Sequence, residues 1–384
     1  MTRIIRKPSL GERIAYAVLR VAASVLCFGI LAAVCFGMLL TQSDSADTAQ
    51  ASDKHLMDRF DKYMTNQFSD SLEGIASIEK VYWLDDHDII APEPDPTKFG
   101  TATDPKELDW LIEAAQPLLE GQTLSFNTDI KILPDSEIFY YLDETILSIT
   151  WKEFCDGTCY TFSEIKIKHP SQFRRFLADD TYGSDKQYYG SDMARSVNAV
   201  TATNSDFYKH RPYGFVTYYG KVYRPDLERR LDTCFIDDKG NLLMVPRGQF
   251  RVVEEAQAFV DEHNVRFSLA FGPILIKDGK NVVPYDYAVG EIRDNFSRSG
   301  LAQLGDLHYM LCVTSFDGPT MFMTTTQTFA NVLIRKGCIN AYSLDGGQTA
   351  MLFTNDQVVN SISYGQERTV SDIIYFATAV PSGG

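Results

Sequence analysis

AYSLDGGQTAML, residues 341–352, places an acid and two glycines where an apolar run stops. Residues 338–344 are mostly apolar and end in Ser343 and Leu344, which predicts a buried strand closing at Asp345. Gly346 and Gly347 then free the backbone for positive φ and bring N–H groups close to a ligand, while Gln348 and Thr349 add small polar groups. An acceptor and several donors converge in such a turn, which makes it a candidate site. A plain hairpin turn in which Asp345 caps its own backbone uses the same residues, and the local sequence leaves both readings open.

Outward from this turn the texture is short β-rich runs separated by Gly, Asp and Asn. Strands are predicted at 199–202, 215–219, 242–245, 266–269, 273–276, 308–314 and 340–344, and helical spacing occurs at 170–177, 253–263 and 325–336. There is no regular βαβ alternation, so the expected fold class is α+β, with mixed β-sheets and interspersed helices, over a main domain at 144–380. Upstream, Asp104 caps a predicted helix at 105–119 with Pro105 in its first turn, after a Pro-rich break at 91–100. Residues 54–143 therefore read as a helical lead-in.

The N-terminus sets the expected compartment. Arg3, Arg6, Lys7, Arg13 and Arg20 precede residues 21–42, which carry no charged side chain. At about 1.5 Å per residue that run crosses about 30 Å of hydrocarbon, so it predicts a single transmembrane anchor. The basic segment 1–20 faces the cytoplasm by the positive-inside rule, and the polar, acidic stretch 43–53 is a tether to an extracytoplasmic domain. The formal charge is −15, and residues 1–42 carry five basic groups against Glu12; removing that net +4 leaves −19 on the exported part. Such a surface excludes nucleic acid as a partner, and an anionic substrate would need a local arginine cluster.

Two of the seven cysteines, Cys27 and Cys35, fall inside the apolar span. Cys155 and Cys159 bracket Asp156-Gly157-Thr158 between two β-like runs, which is consistent either with a disulfide across a hairpin tip or with two free thiols. No second Cys pair and no His at ligand spacing accompanies them, so neither a metal nor any other cofactor is expected.

Four further clusters join the Asp-Gly-Gly turn. They are Asn204-Ser205-Asp206-Phe207 after a strand, Phe271-Gly272-Pro273, Arg298-Ser299-Gly300-Leu301-Ala302 before the 308 strand, and Glu367-Arg368-Thr369-Val370 before a terminal apolar run. In this order and at comparable spacing they resemble the phosphodiester glycosidase family, over roughly 162–377. Where that family commonly has Gly, this chain has Ser205, Ala302 and Gln348; Ala350 replaces a serine, and Phe316-Asp317-Gly318-Pro319 lacks a basic residue usual at its end.

The resemblance implies an extracytoplasmic hydrolase that cleaves the glycosidic bond of a sugar 1-phosphodiester, such as an N-acetylglucosamine 1-phosphodiester, to free sugar and phosphomonoester. The alternative is a non-catalytic, membrane-tethered carbohydrate-binding or envelope-assembly protein on the same fold. The substrate partner is a sugar phosphate or glycan in either case. A phosphate on the anomeric carbon is already a good leaving group, so the site must neutralise its charge, hold the sugar hydroxyls and direct a water. The expected roles are Arg298 and Arg368 on the phosphate, with donors from Gly346, Gly347 and Thr349. Asp345 or Asp206 would hold hydroxyls or activate water, Asn204 would orient, and Glu367 would position Arg368. His308, inside an apolar strand, reads as a hydrogen-bonded core residue.

Overall fold

The computed structural model describes residues 83–86 and 89–380. The expected anchor at 21–42, the flanking segments 1–20 and 43–53, and the helix expected at 54–68 lie outside the described residues. Among the described residues no helix is long and apolar enough to cross a membrane.

One sheet organises the rest. Its nine strands run in the order Phe99–Ala102, Ile138–Leu142, Ile146–Cys155, Thr158–Ile167, His308–Ser315, Ser299–Gly305, Asn340–Leu344, Ile274–Lys277 and Lys280–Asn281. Two five-stranded sheets pack on it. The first contains Val216–Tyr218, Thr233–Ile236, Leu242–Val245 and Phe267–Leu269, and the second contains Phe173–Leu177, Thr201–Asn204, Leu352–Thr354 and Asp372–Phe376. The ladders of all three are antiparallel. The class is α+β and mostly sheet.

The period of two along each strand explains why the large sheet is buried on both faces. In His308–Ser315, Met310 and Cys312 join a core with Phe329 and Leu333 of the helix Thr326–Arg335 and with Leu108, Leu111 and Leu119. Leu311 and Val313 point the other way, into a core with Phe173, Phe267, Leu352 and Phe376 from the two smaller sheets. Apolar side chains on both faces leave the strand no solvent side, so its sequence reads as a continuous apolar run.

Several elements sit where the sequence placed them, including Leu242–Val245, Asn340–Leu344, Val253–Glu262 and Thr326–Arg335. The expected lead-in does not stay apart. Phe99–Ala102 and Ile138–Leu142 extend the large sheet, and the helix at 105–119 divides into Pro105–Leu108, Asp109–Ala114 and Gln116–Leu119, with Asp104 capping the first. The helix expected at 170–177 is instead a short turn, Pro170–Gln172, followed by the strand Phe173–Leu177. Tertiary pairing overrides local spacing there: the strand is held along Asp372–Phe376, and Arg175 forms a fully buried ion pair with Asp372 at 2.6 Å.

Of the two readings for Cys155 and Cys159, the structure has two free thiols. Asp156 and Gly157, at φ 50° and 84°, make a two-residue turn, so Cys155 faces Thr158 and Cys159 faces Phe154. Residues adjacent along a strand point to opposite faces, which puts the two thiols on opposite sides of the sheet; both are free.

Candidate active site

A cleft of about 740 Å³ opens at one end of the large sheet, where four neighbouring strands begin or stop. Phe271 precedes Ile274–Lys277, Asp345 follows Asn340–Leu344, Arg298 precedes Ser299–Gly305 and Phe316 follows His308–Ser315. Ser299 pairs with Leu344, so extending that register by one residue sets Asp345 across from Arg298. The clusters scattered through the sequence therefore meet because antiparallel neighbours bring strand starts beside strand ends.

The Asp-Gly-Gly turn is fixed by backbone contacts. The Asp345 amide donates to the Ser205 carbonyl at 3.2 Å and the Gly347 amide to the Ser297 carbonyl at 2.8 Å. A Cβ on Gly346 would overlap that same Ser297 carbonyl oxygen, so glycine is required by close approach; Gly347, at φ 67°, is required by conformation. The Thr349 hydroxyl donates to the Gly346 carbonyl at 2.8 Å. Asn204, buried behind the turn, donates to the Asp345 carbonyl at 2.5 Å and so positions the acid without reaching the cleft.

Burial pushes the Asp345 carboxyl up to about 6; the Thr349 hydroxyl and the charge of Arg368 work against that shift. A carboxyl in this range exchanges protons near neutral pH, which is what general acid or base chemistry requires. Arg368 is exposed, lines the cleft, and is paired with no acid among the described residues. Its neighbour Glu367 turns away and accepts from the Ser191 hydroxyl at 2.6 Å and the Ser191 amide at 3.1 Å, anchoring the segment to the start of the helix Gly190–Ser196. Glu367 thus holds the chain from which Arg368 projects.

Arg298 and Asp206 are committed elsewhere. The Arg298 guanidinium donates to the carbonyls of Gly290 at 2.6 Å, Glu291 at 3.1 Å, Asp294 at 2.6 Å and Thr324 at 3.3 Å. Four of its five N–H groups are therefore spent on carbonyls, three of them on the 290–294 loop, and burial draws it down to about 10. Asp206 is buried: one oxygen accepts from the Phe207 amide and pairs with Arg211, and the other accepts from the Ala270 amide at 2.9 Å. It is not among the residues lining the cleft.

The cleft contains groups that no motif marked. Phe296, Phe316 and Tyr364 line it and stay 41%, 56% and 90% exposed, giving flat apolar faces on which a sugar ring can stack. Asp317 fixes Phe316 beside the rim by accepting from Ser315 at 2.5 Å and from the Ser361 amide at 3.0 Å. Glu291 is the second carboxylate on the lining. Nothing in the sequence around Gly290 and Glu291 singles them out. His308 is buried and bonded to Glu164 at 2.9 Å, far from any role here. Among the described residues no group of three or more His, Cys, Asp or Glu is placed to hold a metal.

A strand-end cleft with a half-buried acid, an unpaired arginine and exposed aromatic rings is the candidate site on this sheet-rich scaffold. A family model described as phosphodiester glycosidase matches residues 197–377, so the resemblance carried by the ordered motifs holds over that segment. The catalytic domain of zebrafish N-acetylglucosamine-1-phosphodiester alpha-N-acetylglucosaminidase, auto-inhibited by its pro-peptide, aligns with a TM-score of 0.50 at 12% identity, over 68% of this chain and 93% of that one. At this identity the likeness is one of fold. A hypothetical protein from Synechocystis aligns over 63% of this chain and 64% of its own, at 15% identity and a TM-score of 0.46. The SPbeta prophage-derived uncharacterized protein YomE of Bacillus subtilis (strain 168) is 30% identical over 111 residues, 28% of this chain and 17% of that relative's length.

Proposed function

We propose that the chain is an extracytoplasmic hydrolase, anchored by residues 21–42, that cleaves the glycosidic bond of a sugar 1-phosphodiester such as an N-acetylglucosamine 1-phosphodiester. The observation that carries the reading is Asp345, raised to about 6 on the lining of a cleft that also holds the uncommitted Arg368. The family match and the shared fold support a glycosidase-type activity.

Arg368 takes the phosphate through charge-assisted hydrogen bonds. A phosphodiester anion held there competes with Asp345 for the same positive charge, and two anions so placed favour protonation of the carboxyl. Asp345 then donates its proton to the phosphate oxygen as the anomeric C–O bond breaks and the electron pair passes to that oxygen. The sugar stacks against Phe296, Phe316 or Tyr364, and water bonds to the anomeric carbon. This gathering of Asp345 and Arg368 in one open cleft favours an enzyme over a purely binding module.

The test incubates the full chain with an alpha-linked N-acetylglucosamine 1-phosphodiester and follows free sugar and phosphomonoester together. Free sugar from the wild type, lost in Asp345→Asn, is the expected result. Sugar 1-phosphate would place the cleavage at the P–O bond, and saturable binding without product would make the chain a binding module.

A further inference from the structure

We infer that Glu291 is the catalytic base that activates the attacking water, and that Arg298 is the residue that positions it; this rests on the hydrolase reading above. The cleft lining holds two carboxylates among the described residues, Asp345 and Glu291. With Asp345 protonated beside the bound phosphate, a second group must accept the proton of the water. No histidine lines the cleft, and its remaining polar side chains are amides, hydroxyls and arginines, none of which takes a proton at neutral pH. Asp206 is excluded by burial and by its pairing with Arg211.

Glu291 is held in place by its backbone while its carboxylate stays free. Its φ is 42°, in the left-handed region that a non-glycine residue adopts only where surrounding contacts enforce it. Those contacts are the Arg298 bonds to the carbonyls of Gly290, Glu291 and Asp294, closed by the Asp294 amide donating to the Glu291 carbonyl at 2.9 Å and the Thr326 amide to the Ile292 carbonyl at 3.1 Å. The side chain is exposed, and its carboxylate makes no hydrogen bond or ion pair among the described residues. A buried arginine that spends three donors on carbonyls of one strained loop explains why the family-type Arg298 is present without touching a substrate: it holds the loop that carries the base.

The reaction balances. A water proton passes to Glu291 as the water oxygen bonds to the anomeric carbon. The C–O bond to phosphate breaks with its electron pair on the phosphate oxygen, which takes the Asp345 proton. Glu291 then releases a proton to solvent and Asp345 regains one.

The experiment compares wild type, Glu291→Gln, Glu291→Ala and Arg298→Lys as full chains on the same phosphodiester. Glu291→Gln is expected to lower kcat about 100-fold or more while KM changes less than about threefold. Formate, a carboxylate small enough to fill the vacated space, should restore part of the turnover of Glu291→Ala and none of that of Arg298→Lys. Unchanged melting temperature in the Glu291 variants separates chemistry from folding, since that side chain is exposed. If the wild type releases sugar and Glu291→Gln does so within about threefold of its rate, the inference falls and the hydrolase reading stands. If the wild type releases none, both fall.

Discussion

Asp206 and Asp345 are neighbours across one backbone contact, the Asp345 amide on the Ser205 carbonyl, and both follow the end of a strand. Their carboxylates are treated in opposite ways. Asp206 receives two amide donors and a buried guanidinium, so its charge is compensated inside the protein. Asp345 is partly withdrawn from water, and its desolvation outweighs the Thr349 hydroxyl and the Arg368 charge, so its proton is harder to remove. The difference teaches that burial alone does not make a carboxylate reactive; desolvation that its donors and neighbouring charges do not offset does.

The sharpest way to break this comparison is to remove the compensated acid. Asp206→Ala leaves Arg211 buried without its partner, and a urea titration should show a stability loss of about 3–5 kcal/mol. A loss below about 1 kcal/mol would mean that the ion pair does not distinguish the two residues.

The uncompensated acid should behave in reverse. Asp345→Asn should cut turnover about 100-fold or more, and wild-type turnover should decline as pH rises through about 6, where Asp345 loses its proton. Stability moves with pH in the same direction as activity. The folded-state pKa lies above the unfolded value of about 3.9, so the proton stabilises the native state below pH ~4, and that contribution is lost as pH rises through about 6. The Asn variant should therefore be more stable than wild type by up to about 3 kcal/mol at pH 7 and close to it near pH ~4. Equal stability of the two at both pH values would remove the account of Asp345 as a strained acid.

The smallest expected effect concerns the arginine. Arg368→Ala should raise KM about tenfold with the melting temperature unchanged, because an exposed, unpaired side chain supports binding and not the fold. Removing that positive charge also lets the Asp345 proton bind more tightly, so the alkaline limb of the activity profile should move to higher pH. A limb that stays in place would mean that the two groups do not interact.

Much of the architecture was legible because local rules and packing agree there. Asn340–Leu344 stops at the residue its apolar run predicts, and Thr325 caps the helix Thr326–Arg335 within a residue of the expected start. Phe173–Leu177 was not legible, since its Arg175 is satisfied by Asp372 and by the Ser268 carbonyl, partners set by distant pairing. The site was legible as a list of motifs and not as a division of labour. Arg298 and Arg368 look equivalent in sequence, yet one is walled in by carbonyls and the other is open to the cleft.

The sequence by itself determined the sheet-rich class, the Asp-Gly-Gly turn and the ordered clusters that match the family, because residue chemistry and short-range periodicity are written locally. Tertiary structure alone decided that Cys155 and Cys159 face apart, that Asp206 is internal, and that Glu291 shares a cleft with Asp345. Each of those depends on strand register and on which buried donors reach which acceptor. Both are settled by how strands and loops pair and pack, and not by the residues that precede or follow each group in the chain.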